Sequence, residues 1–367
     1  MISFGIISLK LDSEDSYIND IAKLAESCEM ECYRFIPTEI NPHTLQVRGK
    51  KFNAKTSQWI DLEFPMPPII YDRCFYGDDE HSKLCLPIVS WLKSRNDITF
   101  LGYGLPNKLE LYHSLKNTAL SAYLPPTKFA DDSRIILKEL NKLKKIIIKP
   151  INGSQGFGIY SLKKNDKTFH VKTEKQKKII SRIFPNESKL IKWLDPLIAT
   201  RHYLIQPFLE LSNDELQPFD IRILMQKNIQ GVWGELGRGI RLGNSGGILS
   251  NLSAGGSVIT FSDWTSSLQP AKGKYIREEL EYILSQLPLL LEKEFLPLFE
   301  LGVDIGIAKN GSIWILDINS KPGRKVILET QPTLKESLYL APLLYGKHLF
   351  QTGQSERKNF HEKTLSH

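Results

Sequence analysis

Residues 301–323 read LGVDIGIAKNGSIWILDINSKPG and contain two β-rich runs separated by a short polar segment. The runs are Leu301–Ala308 and Ile313–Ile318, and the segment between them is Lys309–Asn310–Gly311–Ser312. Asn-Gly between two strand-like runs is typical of a tight hairpin turn, because both residues tolerate a positive φ. This part of the sequence therefore predicts a β-hairpin.

Three oxygen-bearing side chains lie on this hairpin. Asp317 and Asn319 are two residues apart on one strand and so share a face, and hairpin pairing can bring Asp304 beside them. Two carboxylates and an amide form the oxygen-only set that Mg²⁺ prefers, and carboxylates among apolar strand residues need a cation or strong donors. The alternative is a row of solvent-facing acids. For Asp304 alone that alternative is favoured, whereas the complete set followed by Pro322–Gly323 favours a metal site.

A second constellation is the run KPINGSQGFG at residues 149–158. An apolar strand ends at Lys149, and a loop with three glycines and then another strand follow it. Glycines let backbone N–H groups wrap an anion, and the lysine supplies a positive charge. The residue order differs from a Walker A loop, and a strand after Gly158 excludes a Rossmann turn. Taken alone, the run leaves a phosphate-binding loop and a plain hairpin equally open.

Residues 1–105 alternate strand-like and helical segments, which predicts an α/β domain with a parallel sheet. One apolar strand ends at Tyr71–Asp72–Arg73. At that end of a sheet, Asp72 and Arg73 either touch a substrate or form a salt bridge at a domain interface. Farther along, we expect helices at 175–200 and 275–299, paired strands at 219–226 and 231–241, and a flexible tail at 351–367.

Composition and charge argue against several classes of protein. The 367 residues carry a net charge of +7, but the lysine-rich stretch has few aromatics and no helical period, so a solvated surface is favoured over nucleic-acid binding. Four cysteines without a C-x-x-C pair argue against a zinc site. No apolar run is long enough to span a membrane and no signal peptide is evident, so we expect a cytoplasmic protein. The lysine-rich stretch mentioned above comprises Lys163, Lys164, Lys167, Lys172, Lys175, Lys177 and Lys178.

These motifs resemble those of a known superfamily. Asp317–Gly323, with an acid thirteen residues upstream, is similar to the acid-x-Asn-x-x-Pro-Gly metal signature of ATP-grasp proteins, and the lysine and glycine loop at 149–158 resemble their phosphate-binding elements. Asp220–Arg222 and the stretch from Arg241 through Asn251 to Gly256 resemble the branch with RimK-type glutamate ligases. YDRCFY at 71–76 and GLPNK at 104–108 resemble the YheC/YheD family of endospore coat-associated ATP-grasp proteins, a likeness that covers residues 2–350.

The resemblance implies an architecture in the α/β class. An N-terminal pre-ATP-grasp α/β domain, residues 1–105, would precede a two-lobed ATP-grasp fold of α+β character. The small lobe with its linker helix would span 106–210, the large lobe with the metal site 211–350, and the tail 351–367.

The resemblance also implies site residues. Asp317 stands where Glu is commoner, so one Mg²⁺ ion is as consistent as two, and Mn²⁺ is an alternative ion. Gln206 likewise stands where many members have Glu. The implied nucleotide site comprises Lys108, Lys149, Gly153, Ser154, Gly156, Gly158, Gln206, Phe208, Leu209 and Glu210, the implied metal ligands are Asp304, Asp317 and Asn319, and the implied catalytic residues are Arg222 and Arg241.

The activity implied by the resemblance is ligation of a carboxylate to an amine through an acyl-phosphate, driven by ATP with Mg²⁺. The substrates would be small molecules or peptides, including a spore-coat component, and the protein would be cytoplasmic or spore-associated. No nucleophile triad is evident, so positioning and electrostatics would carry the chemistry. A kinase with the same ATP site and a non-catalytic, nucleotide-binding coat protein are the alternatives, although clustered buried charge argues against the second.

Overall fold

A computed structural model describes residues 1–153, 156–175, 178–250, 252 and 255–365, with side chains described as far as Gly353. Three β-sheets with flanking helices form its framework. Within the described residues, no helix combines the length and apolar character that crossing a membrane requires.

The N-terminal sheet has six strands in the order β4-β3-β2-β1-β5-β6. Pairing is parallel where β1 meets β2 and β5 and where β5 meets β6, as the alternating sequence pattern predicts. The β3–β4 hairpin adds an antiparallel extension that the pattern does not reveal. The elements are β1 (Ile2–Ile7), α1 (Asp15–Ala25), β2 (Met30–Ile40), β3 (Gln46–Asn53), β4 (Gln58–Pro65), β5 (Ile69–Asp72), α2 (Glu80–Lys93) and β6 (Thr99–Phe100).

The middle sheet is antiparallel, with the order β11-β10-β9-β8-β12-β7. Two helices, α4 and α5, cover one face and bury an apolar core there. The elements are α3 (Lys108–Leu115), β7 (Lys128–Ala130), α4 (Ser133–Leu143), β8 (Lys145–Pro150), β9 (Tyr160–Asn165), β10 (Thr168–Lys175), β11 (Lys178–Phe184), α5 (Glu187–Thr200) and β12 (Tyr203–Pro207).

The helix expected at 175–200 is only partly correct. Its first part is strand β11, whose sequence KIISRIF is rich in the β-branched and aromatic residues that favour strands, and it pairs with β10 as a hairpin. Helix α5 begins only after Asn186, whose side chain accepts a hydrogen bond from the backbone N–H of Lys189. This N-cap fixes the start of the helix twelve residues later than the pattern suggests.

The C-terminal sheet is antiparallel, with the order β15-β14-β13-β16-β17. The long helix α7 packs on one face of this sheet and buries an apolar core there. The elements are β13 (Phe219–Lys227), β14 (Trp233–Leu242), β15 (Ser257–Thr260), α6 (Phe261–Ser266), α7 (Pro270–Glu294), β16 (Glu300–Ile307), β17 (Ile313–Asn319), α8 (Lys325–Thr330) and α9 (Lys335–Leu365).

The predicted hairpin near residue 310 is confirmed, since β16 and β17 pair in antiparallel register with Asp304 opposite Asp317. The backbone at 351–365 differs from the expected flexible tail, because it continues α9 as helix to Leu365. This segment has no proline and contains several good helix formers such as Gln, Glu, Arg and Lys, and the helix continues through Gly353 in spite of the low helix propensity of glycine.

A buried ionic network joins the N-terminal sheet to the C-terminal sheet. Arg73, with a side chain 1% exposed, pairs with Glu300 at 2.8 Å and with Glu14 at 2.7 Å. Arg324 also pairs with Glu300, at 2.9 Å, and Tyr71 donates its hydroxyl to the same carboxylate at 2.7 Å. Of the two sequence-based interpretations of Arg73, the geometry favours the salt bridge at an interface.

Candidate nucleotide and metal site

A cleft lies between the middle sheet and the C-terminal sheet. Ile148 of β8 and Ile205 of β12 are buried in the core under α4 and α5. Because side chains alternate along a strand, their neighbours Lys149, Leu204 and Gln206 take the opposite face and line the cleft. The C-terminal sheet contributes Asp317 and its neighbours on β17, and α3 contributes Lys108, Leu111, Tyr112 and Leu115.

Lys149 is the most distinctive group in the cleft. Its ammonium donates to the backbone carbonyl of Leu316 at 3.1 Å, which ties β8 to β17. Burial and the positive charge of Lys108 lower the pKa of Lys149 to about 8, although Asp317 and Asp304 act in the opposite direction. Lys108 itself forms a short ion pair with Asp317. Two lysines from different elements therefore meet at one carboxylate-bearing strand.

Asp304 sits buried between the two predicted catalytic arginines. Arg222 Nη2 lies 2.9 Å from one carboxylate oxygen of Asp304, and Arg241 Nη2 approaches the same oxygen at 2.9 Å. Burial alone would raise the pKa of the Asp304 carboxyl, but the two guanidinium groups hold it below its usual value. Arg241 is held more firmly, because it also donates two hydrogen bonds of 2.6 and 2.7 Å to Asp220.

The charged side chains around Asp304 and Asp317 form a cluster with an excess of positive charge. Three of its four cations are bound by carboxylates, whereas Lys149 has no carboxylate among the described residues within 4 Å. A partly buried site with one unneutralised cation attracts anions strongly, because solvent screens the charge poorly there. The cations are Lys108, Lys149, Arg222 and Arg241, and the carboxylates are Asp220, Asp304 and Asp317.

The three predicted metal ligands lie close together, and one of them, Asp317, lines the cleft. Asp304 and Asp317 are opposite each other in the β16–β17 ladder, and the Asn319 amide donates to Asp317 Oδ2 at 3.3 Å. Among the described residues, no group of three His, Cys, Asp or Glu side chains is arranged to hold a metal, so the Asn319 oxygen is needed to complete a set. Two carboxylates and an amide fit Mg²⁺. A bound ion would take over oxygens that Lys108 and the arginines contact.

The glycine loop begins directly after Lys149 and leads into β9. Gly153, Gly156 and Gly158 all have positive φ, at 140°, 77° and 76°. A Cβ atom on Gly158 would also lie only 3.0 Å from Pro150 Cγ, so the loop needs glycine there for two reasons. Ser154, the remaining predicted loop residue, lies outside the described residues.

The predicted adenine-side residues separate into two groups. Gln206 lines the cleft, and its amide donates to Thr127 Oγ at 2.7 Å. Phe208, Leu209 and Glu210 lie outside the described lining of the cleft. The Phe208 ring lies 3.3 Å from the Lys145 ammonium, and the Glu210 carbonyl accepts a hydrogen bond from the Lys309 N–H. Gln206 thus shares the lining of the cleft with Lys108, Lys149 and Asp317, whereas nucleotide contacts of the three residues that follow the strand stay a prediction.

Two residues of the site are missed by the sequence interpretation. Asp220 fixes Arg241, and it lies two positions before Arg222 on β13, so the period of the strand could have identified it. Lys321, inside the Asp317–Gly323 motif, donates to Asp72 Oδ1 and to the Cys74 carbonyl, each at 2.7 Å. No local pattern predicts that contact, because its partners are more than two hundred residues away in the sequence.

Comparisons with known proteins identify similar chains. A model of the family described as YheC/D like ATP-grasp matches residues 97–349. Endospore coat-associated protein YheC of Bacillus subtilis is 38% identical over 355 residues, which cover 95% of this chain and 96% of that protein.

Two solved structures share the fold. D-alanyl-alanine synthetase A from Vibrio cholerae has a TM-score of 0.53 at 11% identity, and ATP-grasp ligase PsnB complexed with minimal precursor, Mg and ADP has 0.51 at 13%. Each alignment covers 94% of this chain and 98% of the other. At such low identity these two likenesses show the fold alone. The family model and the 38% identity to YheC show that the chain belongs to the YheC/D-like ATP-grasp family.

Proposed function

We propose that this protein is an ATP- and Mg²⁺-dependent ligase that joins a carboxylate to an amine through an acyl-phosphate. The observation that carries the proposal is the charge cluster at the cleft, where four cations from α3, β8, β13 and β14 meet three carboxylates and Lys149 is left unneutralised. Such buried, clustered charge is expensive to keep without a charged ligand, which supports a working nucleotide site.

In this proposal the lysines hold the phosphates. Lys149 donates to the phosphate oxygens nearest β8, with Gly153, Gly156 and Gly158 close to them, and Lys108 approaches from α3. Asp304, Asp317 and Asn319 would hold Mg²⁺, which would supply charge neutralisation at the transferring phosphoryl group. Gln206 takes the adenine side of the cleft.

In this proposal Arg222 and Arg241 have different roles in the reaction. Arg241 pairs with both Asp220 and Asp304 and acts as a stationary positive charge. Arg222 pairs with Asp304 alone among the described residues, and in this proposal it turns from Asp304 toward the γ-phosphate. The substrate carboxylate attacks the γ-phosphorus and ADP leaves, because the cations reduce the repulsion between the two anions. The amine then attacks the acyl carbon, and phosphate leaves from a tetrahedral oxyanion that Arg222 stabilises. Both steps depend on positioning and charge alone.

The names of similar proteins suggest where the substrates are found. YheC is called endospore coat-associated, and PsnB was solved with a precursor. We therefore propose a peptide or a spore-coat component as one substrate, and a protein that acts in the cytoplasm or at the spore. These are proposals for the substrate, and the chemistry of the cleft stands independently of them.

A trapping assay tests the activity. Purified protein is incubated with Mg²⁺-ATP, a pool of carboxylates and hydroxylamine, and hydroxamates are detected by mass spectrometry together with ADP. An acyl-phosphate reacts with hydroxylamine whatever the natural amine is, so hydroxamate and ADP should appear together. The Arg222→Met variant should lose at least about a hundredfold in rate, as removal of a transition-state donor does, whereas Lys55→Met, at an exposed position, should not change it.

The other functions predict different products. A kinase would give ADP and a stable phosphorylated acceptor without hydroxamate. A non-catalytic nucleotide-binding protein would bind ATP and release no ADP above the background of the Arg222→Met variant. Either result would contradict the ligase proposal.

A further inference from the structure

Strand β11 forms an unpartnered edge of the middle sheet. It pairs with β10 on one side, and no other described strand pairs with its second edge. Its apolar side chains are exposed on both faces: Ile179 and Ile180 are 40% exposed, and Ile183 is 63% exposed. An edge strand of seven residues without proline is a template for pairing with another chain, and proteins normally shorten or interrupt such edges. This edge is therefore available for a partner.

The edge is also strongly basic. Lys178 and Arg182 lie on β11 itself, and Lys172 and Lys175 lie on β10 beside it, all exposed. No carboxylate of the described residues lies within 4 Å of these four cations. Glu174 of β10 forms no ion pair with these four cations, and one of its carboxylate oxygens accepts hydrogen bonds from the backbone N–H groups of Ile248 and Leu249. The free edge thus combines β-branched side chains with unpaired positive charge.

We propose that β11 is a docking site for an acidic, extended polypeptide segment that adds to the middle sheet as a further strand. Main-chain hydrogen bonds to the free edge would provide affinity. Apolar side chains at alternate positions of the segment would contact Ile179 and Ile183, which share one face of β11, and its acidic residues would meet Lys178 and Arg182. This inference goes beyond the proposed reaction and does not depend on it.

Two other occupants fit the surface less well. A nucleic acid would use the cations, but single strands bind through aromatic stacking platforms, and the exposed side chains here are aliphatic. A second copy of this chain would bring another Lys178 and another Arg182 to the same ladder, and like charges across strands destabilise pairing. Charge complementarity therefore selects an acidic polypeptide.

The start of β11 lies at the same end of the middle sheet as the glycine loop. Lys178 pairs with Lys175 at the turn of the β10–β11 hairpin, and Thr173, two residues earlier, pairs with Tyr160 at the start of β9. Tyr160 also pairs with Ile148 on β8, directly before Lys149. The start of β11 is thus at the end of the sheet that carries the glycine loop, three strands away from β8 in the sheet order.

Selection from a library tests this proposal with the full chain and no nucleotide. A phage library of random twelve-residue peptides is selected on the wild-type protein. The enriched peptides should be acidic, with apolar residues at alternate positions, and should bind with a dissociation constant of about 1–50 μM. Ile183→Glu should weaken binding at least tenfold, and Arg182→Glu should weaken it similarly. Ile229→Glu, a matched change at an isoleucine 45% exposed elsewhere, should leave it unchanged.

Hydrogen exchange locates the bound peptide. Amides of residues 178–184 should exchange more slowly in the complex, as they would in a newly paired strand. The proposal is overturned if no peptide is enriched, if neutral or basic peptides are enriched equally, or if Ile183→Glu binds as well as wild type. It is also overturned if sedimentation shows a dimer that Ile183→Glu dissociates, or if an oligonucleotide binds the edge more tightly than the selected peptides.

Discussion

At the scale of single residues, the pKa of Lys149 links the fold to the binding properties of the cleft. Folding lowers the pKa of its ammonium to about 8, first because the group is buried and then because Lys108 is close. The unfolded chain holds this proton more tightly than the folded protein does, so the contribution of Lys149 to stability rises as the pH rises from about 8 to about 10.5. A bound phosphate would reverse this effect by favouring the charged form.

The affinity for nucleotide should therefore depend on pH. We expect the affinity for Mg²⁺-ADP to be constant from pH 6.5 to 7.5 and then to fall by up to about tenfold per pH unit above pH 8, as free Lys149 loses its proton. Isothermal titration calorimetry measures this profile. Lys149→Gln should bind weakly and with a flat profile over the same range. A wild-type affinity that stays constant to pH 9.5 would show that Lys149 does not contact the phosphates.

Single residues were predictable where a local pattern specifies them. Asp317 and Asn319 were found because strand period and motif place them together, and Lys149 because a glycine loop follows it. Lys321 was not found as an interface residue, because only folding brings its partners Asp72 and Cys74 next to it.

At the scale of elements, the β16–β17 hairpin and the loop after it form one packed unit. A Cβ atom on Gly302 of β16 would lie 2.7 Å from Pro322 Cβ and 3.3 Å from Arg222 Nη1. Gly302 thus lets the Pro322–Gly323 turn pack directly against the strand that carries Asp304. The motif's proline is positioned by a glycine outside the motif.

Gly302→Ala should consequently destabilise the protein. We expect a loss of about 1–3 kcal/mol in the free energy of unfolding, because Pro322 and Arg222 must shift to make room. Urea denaturation followed by circular dichroism measures it. Gly234→Ala in β14 is the control, since a Cβ there meets no atom within 4 Å and should cause no loss. Equal stabilities of the two variants would contradict the packing described.

Strands and helices were predictable where the pattern of apolar residues and the turn residues agree, as for the Asn-Gly hairpin. They were not predictable where short strands lack a distinctive pattern. The β3–β4 extension and the first part of 175–200 are examples, because hairpin pairing with a neighbouring strand decides their conformation. The edge position of β11 also follows only from sheet order, which local sequence does not contain.

At the scale of the whole molecule, the network around Glu300 fixes the N-terminal sheet against the C-terminal sheet. Arg73 and Arg324 come from opposite sides of this interface and share the Glu300 carboxylate, which is 2% exposed. In the sequence, Glu300 is more than two hundred positions from Arg73 and only twenty-four positions from Arg324. The sequence left a salt bridge as one of two interpretations of Arg73, and only the assembled structure supplies its partner.

Glu300→Gln should leave two buried arginines with less compensating charge. We expect the free energy of unfolding to fall by about 3 kcal/mol, as occurs when one member of a buried ion pair is removed. Thermal and urea denaturation both measure this change. Glu80→Gln removes an exposed partner of Lys83 and should change stability by less than about 1 kcal/mol. A similar small change for Glu300→Gln would mean that the network does not hold the interface.

The linkage between Mg²⁺ and nucleotide tests the central claim most directly. Calorimetric titration of ATP is performed with and without Mg²⁺ on the wild type, on Asp317→Ala, and on Asp61→Ala as an exposed control. The account predicts at least tenfold tighter binding with Mg²⁺ for the wild type and for Asp61→Ala, and no effect of Mg²⁺ for Asp317→Ala. Equal wild-type affinity with and without the metal would contradict it.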